Sequence, residues 1–500
     1  MHNFYKILTI GVVTLLVTLS PSAQETSSVR ASGGSADGQE NGTVIGKEIT
    51  LTAPDAVVVF AYWRQAKQQQ ASDSSNVTDT TTILLFHMAG SSARGEYAEI
   101  APIFNAEGYN TLAVDLRSGG GRLGAPNQTA DRLGDVAIGY CDAYPDMVAA
   151  LDWVKTNGGG GPIVALGSSF SAGLVIKFGA EHQQDIAGVL AFSPASGTPM
   201  ADCLPEPYLA QTSIPVVAFR PDREMAVESV ITQAAAFRAL GVPYHEIENG
   251  RHGSLMLRES QTGTDMDHAW RPVFRFLNGV SGSTATDVKL KVDGWQLQGN
   301  FVAPPSSSRV PAVLLLHGAA RSRGIYSGLA QDLASRGIAS LSIDMRAHGD
   351  SLNQGKFQQP WADHTYLLEG TAADIAAATA FLAQHSKVDP NRIAVVSASY
   401  SGEFMAVAAR QSGYVQAYIS LSPGSISDQS IEDVDPSGVP WLFVRAEQER
   451  PFFDDIFGAI EEKSNAEILV LPGKGHADRL LAQHPRLAAQ LAAWLEDVLN

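Results

Sequence analysis

The feature that most constrains this 500-residue chain is that it is written twice. An apolar run closes on His87 (ILLFHMAGS, 83–91), and a second closes on His317 (VLLLHGAAR, 313–321), 230 residues later. A glycine, an apolar run and an Asp-x-Arg follow at EGYNTLAVDLR (107–117) and again at RGIASLSIDMR (336–346). GSSFSAG (167–173) has its partner in SASYSGE (397–403), with Ser169 and Ser399 again 230 apart. Next come two runs ending in Ser-Pro, LAFSP (190–194) and ISLSP (419–423), then IPVVAFRPDRE (214–224) beside VPWLFVRAEQE (439–449). ENGRHGS (248–254) and PGKGHAD (472–478) close the series, with His252 and His476 224 residues apart. A chance likeness between two Ser-Gly loops would not carry five other landmarks in order. The chain is a tandem duplication of one structural unit.

Such a length calls for two or three domains. The first copy is expected over 43–279 and the second over 285–500, joined by a small, polar linker at 280–284 within FLNGVSGSTATD. Apolar content of 45% with 17% charged residues is globular, and a net charge of −17 with no basic tract argues against nucleic acid. Residues 1–23 carry one Lys, the short apolar run Ile7–Leu19 and small residues after it, the layout of a signal peptide. That run is short of the roughly 20 residues a spanning helix needs, an uncleaved anchor being the alternative. The expectation is a secreted or periplasmic protein with no stable membrane insertion after cleavage. Residues 24–42 read as a disordered leader rich in Gly and Ser.

Within each copy, short apolar runs alternate with helix-length amphipathic segments such as 143–157 and 370–384. This predicts an α/β architecture, a mostly parallel sheet with helices on both faces, whose functional residues gather at the carboxyl ends of the strands. Each copy opens with a strand pair, at 46–63 and 285–304, and residues 65–81 read as a surface loop.

The order strand–His, strand–Asp-x-Arg, small-x-Ser-x-small, acid, late His resembles the α/β-hydrolase superfamily, in both halves and over nearly all of 46–500. The short lid regions are most similar to dienelactone hydrolase-like and serine aminopeptidase-like members. The resemblance implies two tandem α/β-hydrolase domains, with Ser169 and Ser399 as nucleophiles on sharp strand-to-helix turns. A serine hydroxyl attacks only when a base takes its proton, and His252 and His476 stand where the family places that base. A carboxylate must orient the histidine. Glu224 and Glu449 fit the family's spacing, with Asp222 and Glu447 in reserve. A solvated cluster with Arg223 or Arg450 is the other reading of these acids. Oxyanion donors are expected at the backbone of Ala89 and Phe170 in the first copy and of Ala319 and Tyr400 in the second. By the same resemblance His87 and His317 shape the oxyanion loop and are not bases, and Asp, Arg and His in DMRAHGDS (344–351) are structural. The chain departs from the pattern in having serine at three of the four positions flanking the nucleophiles, and Met88 where the family has glycine.

The glycine run at 119–121 has no Walker lysine or dinucleotide spacing after it, and no His/acid cluster has metal-ligand spacing, so cofactor-free chemistry is expected. The differing loops 119–144 and 353–370 are expected over the two pockets, where Phe357, Trp361 and Tyr366 either line the second pocket or pack elsewhere. Cys141 and Cys203 are expected to form a disulfide tying the first lid, the alternative being two separate thiols. The expected activity is hydrolysis of a small-molecule ester, or an amide or peptide by the same mechanism, in both domains. The alternative makes one copy a degenerate domain used for binding or dimerisation. The oligomeric state stays open.

Overall fold

Apolar runs with no polar alternation become strands buried on both faces, because helices cover the sheet from either side. The structure is a computed structural model that describes residues 45–66 and 80–500, apart from Asp135, Ala137, Ser196 and Ser425. The expected signal segment, the leader and most of the loop at 65–81 lie outside the described residues. The first half holds β1 (Lys47–Thr52), β2 (Val58–Arg64), β3 (Thr82–Phe86), β4 (Asn110–Val114), β5 (Ile163–Ser168), β6 (Ile186–Phe192), β7 (Val216–Pro221) and β8 (Tyr244–Ile247). The second holds β9 (Thr284–Val292), β10 (Trp295–Ala303), β11 (Val310–Leu316), β12 (Ala339–Asp344), β13 (Val388–Ala398), β14 (Ala417–Leu421), β15 (Trp441–Ala446) and β16 (Ala466–Leu471).

The two sheets have the same strand order. One runs β1-β2-β4-β3-β5-β6-β7-β8 and the other β9-β10-β12-β11-β13-β14-β15-β16. The strand pairs that open each copy are antiparallel and join their sheets antiparallel, through β2–β4 and β10–β12. The remaining pairings are parallel, as in Leu84 beside Leu112 and Leu314 beside Leu341. Neighbouring residues of a central strand serve opposite cores. Leu84 and Phe86 pack with helices Tyr144–Asn157 and Phe170–Glu181, whereas Ile83 and Leu85 pack with helix Asp267–Gly282. In the second half Leu314 and Leu316 face one core and Val313 and Leu315 the other. The strand period of two thus divides each domain into two apolar layers around one sheet.

The linker expected at 280–284 is corrected by the structure: helix Asp267–Gly282 runs through it and β9 begins at Thr284, leaving only Ser283 between them. Small, polar residues suit a linker, but here they continue a helix, and its glycine lets it approach its neighbour closely. A Cβ on Gly279 would stand 2.2 Å from the carbonyl oxygen of Ala334, in helix Ser327–Ser335 of the second domain. Across the same boundary the buried Arg486 donates from Nε to Leu240 O (3.1 Å) and from Nη1 to Ile214 O (3.2 Å). Arg336 reaches Gly241 O and, on its own domain, Glu496 (2.7 Å). Leu240 and Gly241 follow the C-terminus of helix Glu228–Ala239, where exposed carbonyls favour a cation.

This close approach makes a test with a defined sign. Helix propensity alone favours alanine over glycine by about 1 kcal/mol. Because any Cβ at 279 meets backbone, Gly279→Ala is expected to lower stability by about 1–3 kcal/mol instead, read as a shift in the denaturant midpoint.

Candidate active site

Each nucleophile candidate sits where a buried strand turns directly into a helix. Ser169 lies between β5 and helix Phe170–Glu181 at φ 62°, ψ −117°, and Ser399 follows β13 at φ 54°. Non-glycine residues rarely hold such angles, so the surroundings must impose them. The Ser169 N–H donates to Phe192 O (2.8 Å) and the Ser399 N–H to Leu421 O (2.9 Å). A Cβ on Gly167 would stand 2.4 Å from Ser171 O, so the first turn closes only on glycine. The serines two residues after each nucleophile, which depart from the family pattern, have a structural use. Ser171 Oγ accepts the Ser168 N–H (2.8 Å) and lies 2.7 Å from Phe86 O, binding the turn to β3. Ser401 Oγ likewise accepts the Ala398 N–H (2.8 Å).

The structure brings three expected groups together in each domain. His252 Nε2 lies 2.9 Å from Ser169 Oγ, and its Nδ1 lies 2.7 Å from Glu224 Oε1. His476 Nε2 lies 2.9 Å from Ser399 Oγ, and its Nδ1 lies 2.6 Å from Glu449 Oε1. Both histidines are open to solvent, with 45% and 42% of the side chain exposed, while Glu224 and Glu449 are 18% and 8% exposed. The reserve acids are not in these chains. Asp222 is exposed and accepts the Arg223 N–H (2.7 Å), and Glu447 is exposed. The acids occupy 3₁₀ turns, Asp222–Ala226 and Glu447–Glu449. At three residues per turn, side chains two apart point in different directions.

The two acids are supported differently. Arg220, buried on β7, donates to Glu224 Oε2 (3.0 Å) and also to Pro194 O and Gln233. Burial by itself pushes the Glu224 carboxyl up, but hydrogen bonds and charge from His252 and Arg220 outweigh it, so its pKa falls below the ordinary value. Glu449 has no such cation among the described residues. Its Oε2 accepts the Ser422 hydroxyl (2.8 Å) and the Ala446 N–H (2.8 Å). Arg445, the counterpart of Arg220, turns instead to Asp454 and the Phe457 ring. The Ser-Pro landmarks gain a role here, since Ser193 Oγ accepts the Gly253 N–H (3.0 Å) beside the first base.

Phe170 supplies a first-turn helix amide, which has no partner within its own helix. Tyr400 occupies the same position after Ser399, while Ala89 and Ala319 lie in the loops after β3 and β11. Those loops turn back through matched left-handed residues, Gly90 (φ 68°) and Ala320 (φ 58°). Fully buried His87 anchors the first loop: Nδ1 pairs with Met88 O (2.8 Å) and Nε2 accepts the Leu116 N–H (2.9 Å). His317 does the same with Gly318 O and the Met345 N–H. Burial lowers the pKa of His87 to about 4, and burial and then His348 lower that of His317 to about 3, so both stay neutral. The Asp-x-Arg residues are also braces, Arg117 binding Asp146 (2.7 Å) and Arg346 binding Asp374 (2.6 Å).

Glu96 was not visible as a site residue in the sequence. It is fully buried, accepts the Met88 N–H on Oε2 (2.8 Å) and the Ser254 hydroxyl on Oε1 (2.6 Å), and so ties the loop after β3 to the loop carrying His252. Burial pushes its pKa up. The second domain links the same loops with an ion pair, Arg321 Nε to Asp478 Oδ2 at 3.0 Å. Cys141 and Cys203 form a disulfide that joins the loop 119–144 to the segment after β6. Beside it, Tyr140 stacks on Phe170 (4.8 Å). In the second domain Tyr400 stacks on His348 (5.7 Å), and His348 on Phe357 (5.1 Å). Phe357 is buried, whereas Trp361 and Tyr366 are exposed.

Removing Arg220 takes away one of the two groups that hold the Glu224 carboxyl down against burial, so its pKa should rise. In a Ser399→Ala background, Arg220→Met is therefore expected to move the acid limb of any first-domain activity to higher pH. The same change in a Ser169→Ala background should leave the second domain's profile in place. A pH–rate profile with a thermal melt at each pH reads both.

Residues 79–235 match a family model described as Serine aminopeptidase, S33. Two uncharacterised proteins of Mycobacterium tuberculosis are each 30% identical over 193 residues, which is 38% of this chain and 60% of theirs. The aligned stretch is therefore less than two thirds of those relatives' length. Among solved structures, dienelactone hydrolase from Anabaena variabilis is 21% identical, with 44% of this chain and 99% of that one covered at a TM-score of 0.35. An esterase from Pyrococcus furiosus is 15% identical, with 44% and 93% covered at a TM-score of 0.35. The family match lies within the first half, and the second half repeats that half's strand order, so the chain is a tandem pair of α/β domains of one fold, the first of them similar to the serine aminopeptidase family over 79–235.

Proposed function

We propose that both domains hydrolyse carboxylic esters through an acyl-enzyme. The observation that carries this reading is the unbroken Ser–His–Glu chain in each half, with Ser–His distances of 2.9 Å in both. His252 or His476 takes the serine proton as Oγ attacks the acyl carbon, while Glu224 or Glu449 holds the ring with Nε2 facing the serine and stabilises the imidazolium. The developing oxyanion is received by the N–H groups of Phe170 and Ala89, or of Tyr400 and Ala319. The imidazolium then protonates the departing alcohol. In the second half-reaction the same nitrogen takes a proton from water as its oxygen bonds to the acyl carbon; the bond to Oγ then breaks, the imidazolium returns its proton to Oγ, and the acid is released.

A second reading applies to the first domain. The model matched by residues 79–235 is described for a serine aminopeptidase, which favours amide or peptide substrates there, by the same steps. The N-terminal segment and the Cys141–Cys203 disulfide fit a secreted or periplasmic enzyme, since such bonds persist in oxidising compartments. Substrates are small molecules, and the negative net charge disfavours nucleic acid.

A fluorophosphonate probe labels an activated serine without any choice of substrate. Labelling is expected at both Ser169 and Ser399, lost one site at a time in Ser169→Ala and Ser399→Ala and wholly in the double variant. Each single variant should lose its own domain's turnover by roughly 10⁴-fold or more. Labelling of one serine only, in folded protein, would leave a single enzyme domain beside a silent copy.

A further inference from the structure

Away from both triads, a cleft of about 750 Å³ opens where helix Asp267–Gly282 of the first domain meets the β10–β11 turn of the second. Its charge is the reverse of the chain's. The sequence has 52 acidic and 35 basic residues, yet Arg271, Arg275, Arg309, Arg336 and Arg392 line this cleft, with Asp267 as the acidic side chain among its lining residues.

Two of these arginines are committed. Arg336 is held by Glu496 (2.7 Å) and Arg392 by Asp389 (2.9 Å). The other three are exposed and have no hydrogen bond or ion pair among the described residues. Arg271 and Arg275 stand one helical turn apart, where like charges repel. Arg275 also reaches over the domain boundary, since a Cβ on Gly337 would lie 3.5 Å from its Cδ. The field is felt by a neighbour: burial lowers the pKa of His245 to about 4, and Arg275 and Arg336 act in the same direction. Three exposed guanidinium groups, two on the first domain's helix and Arg309, which feels Asp389 only through space, on the second domain's loop, line one cleft and present forked donors suited to carboxylate or phosphate oxygens.

We propose that this cleft binds a small organic polyanion, carrying two or more carboxylate or phosphate groups, between Arg271 and Arg275 of the first domain and Arg309 of the second. Such a ligand neutralises the repelling pair and bridges the domain boundary, so it stabilises the folded pair by mass action. The proposal is independent of the hydrolase chemistry.

The test uses the whole chain at fixed ionic strength, with citrate and inorganic pyrophosphate as separate probes, read by titration calorimetry and thermal unfolding. One-site binding with a raised melting temperature is expected, with the stronger probe telling carboxylate from phosphate recognition. Affinity should fall at least tenfold in Arg271→Ala/Arg275→Ala and, separately, in Arg309→Ala, an exposed loop change. Arg132→Ala, at an exposed residue of helix Gln128–Leu133 outside the cleft, should bind as the parent does. No one-site binding of either probe, or binding unchanged in both cleft variants, would overturn the assignment.

Discussion

A serine held at positive φ between a strand and a helix is the constraint around which each domain is arranged. That backbone costs on the order of 1–3 kcal/mol and persists only where its neighbours over-determine it. Here they do so from three directions. The next strand takes the serine N–H, the small serine two residues on returns a hydrogen bond to the turn, and the helix behind is packed by fully buried Phe170, Leu174 and Phe178 in the first domain. Because the turn fixes the serine, the loops bearing His252 and His476 need only bring one nitrogen to its Oγ.

The two domains keep this skeleton and differ in how they brace it. The first braces its acid with a cation, Arg220 on Glu224, and links two loops through the buried carboxyl of Glu96. The second orients Glu449 with a hydroxyl and a backbone N–H and links the equivalent loops through Arg321 and Asp478. A neutral brace and a charged one respond differently to pH, so duplicated geometry does not entail duplicated behaviour. The domains are also not independent beads. Glycines at 241 and 279 let backbones meet, and two buried arginines of the second domain end on carbonyls of the first. Burial lowers the pKa of Arg486 to about 10, with Asp332 acting in the opposite direction, which marks how fully that charge has left water.

Much of this architecture was legible in the residues. The strands were readable because buried parallel strands are continuous apolar runs, and their repetition at a nearly fixed spacing exposed the duplication. The serines, the late histidines and the pair of candidate acids were readable because each follows such a run. The linker was misread because small residues look alike in a flexible joint and in a close helix contact. Glu96 left no signal, since a carboxylate in the first turn of a helix ordinarily faces water.

Sequence alone therefore determined the order of the parts: which strand ends carry the candidate residues, and that they come twice. Only the tertiary structure decided between Asp222 and Glu224, because a 3₁₀ turn aims residues two apart in different directions. It alone revealed Arg220 and Glu96 as braces, and it alone gathered Arg271, Arg275 and Arg309 at one boundary. Contacts between residues far apart in the chain depend on how two domains dock, and no local pattern encodes that.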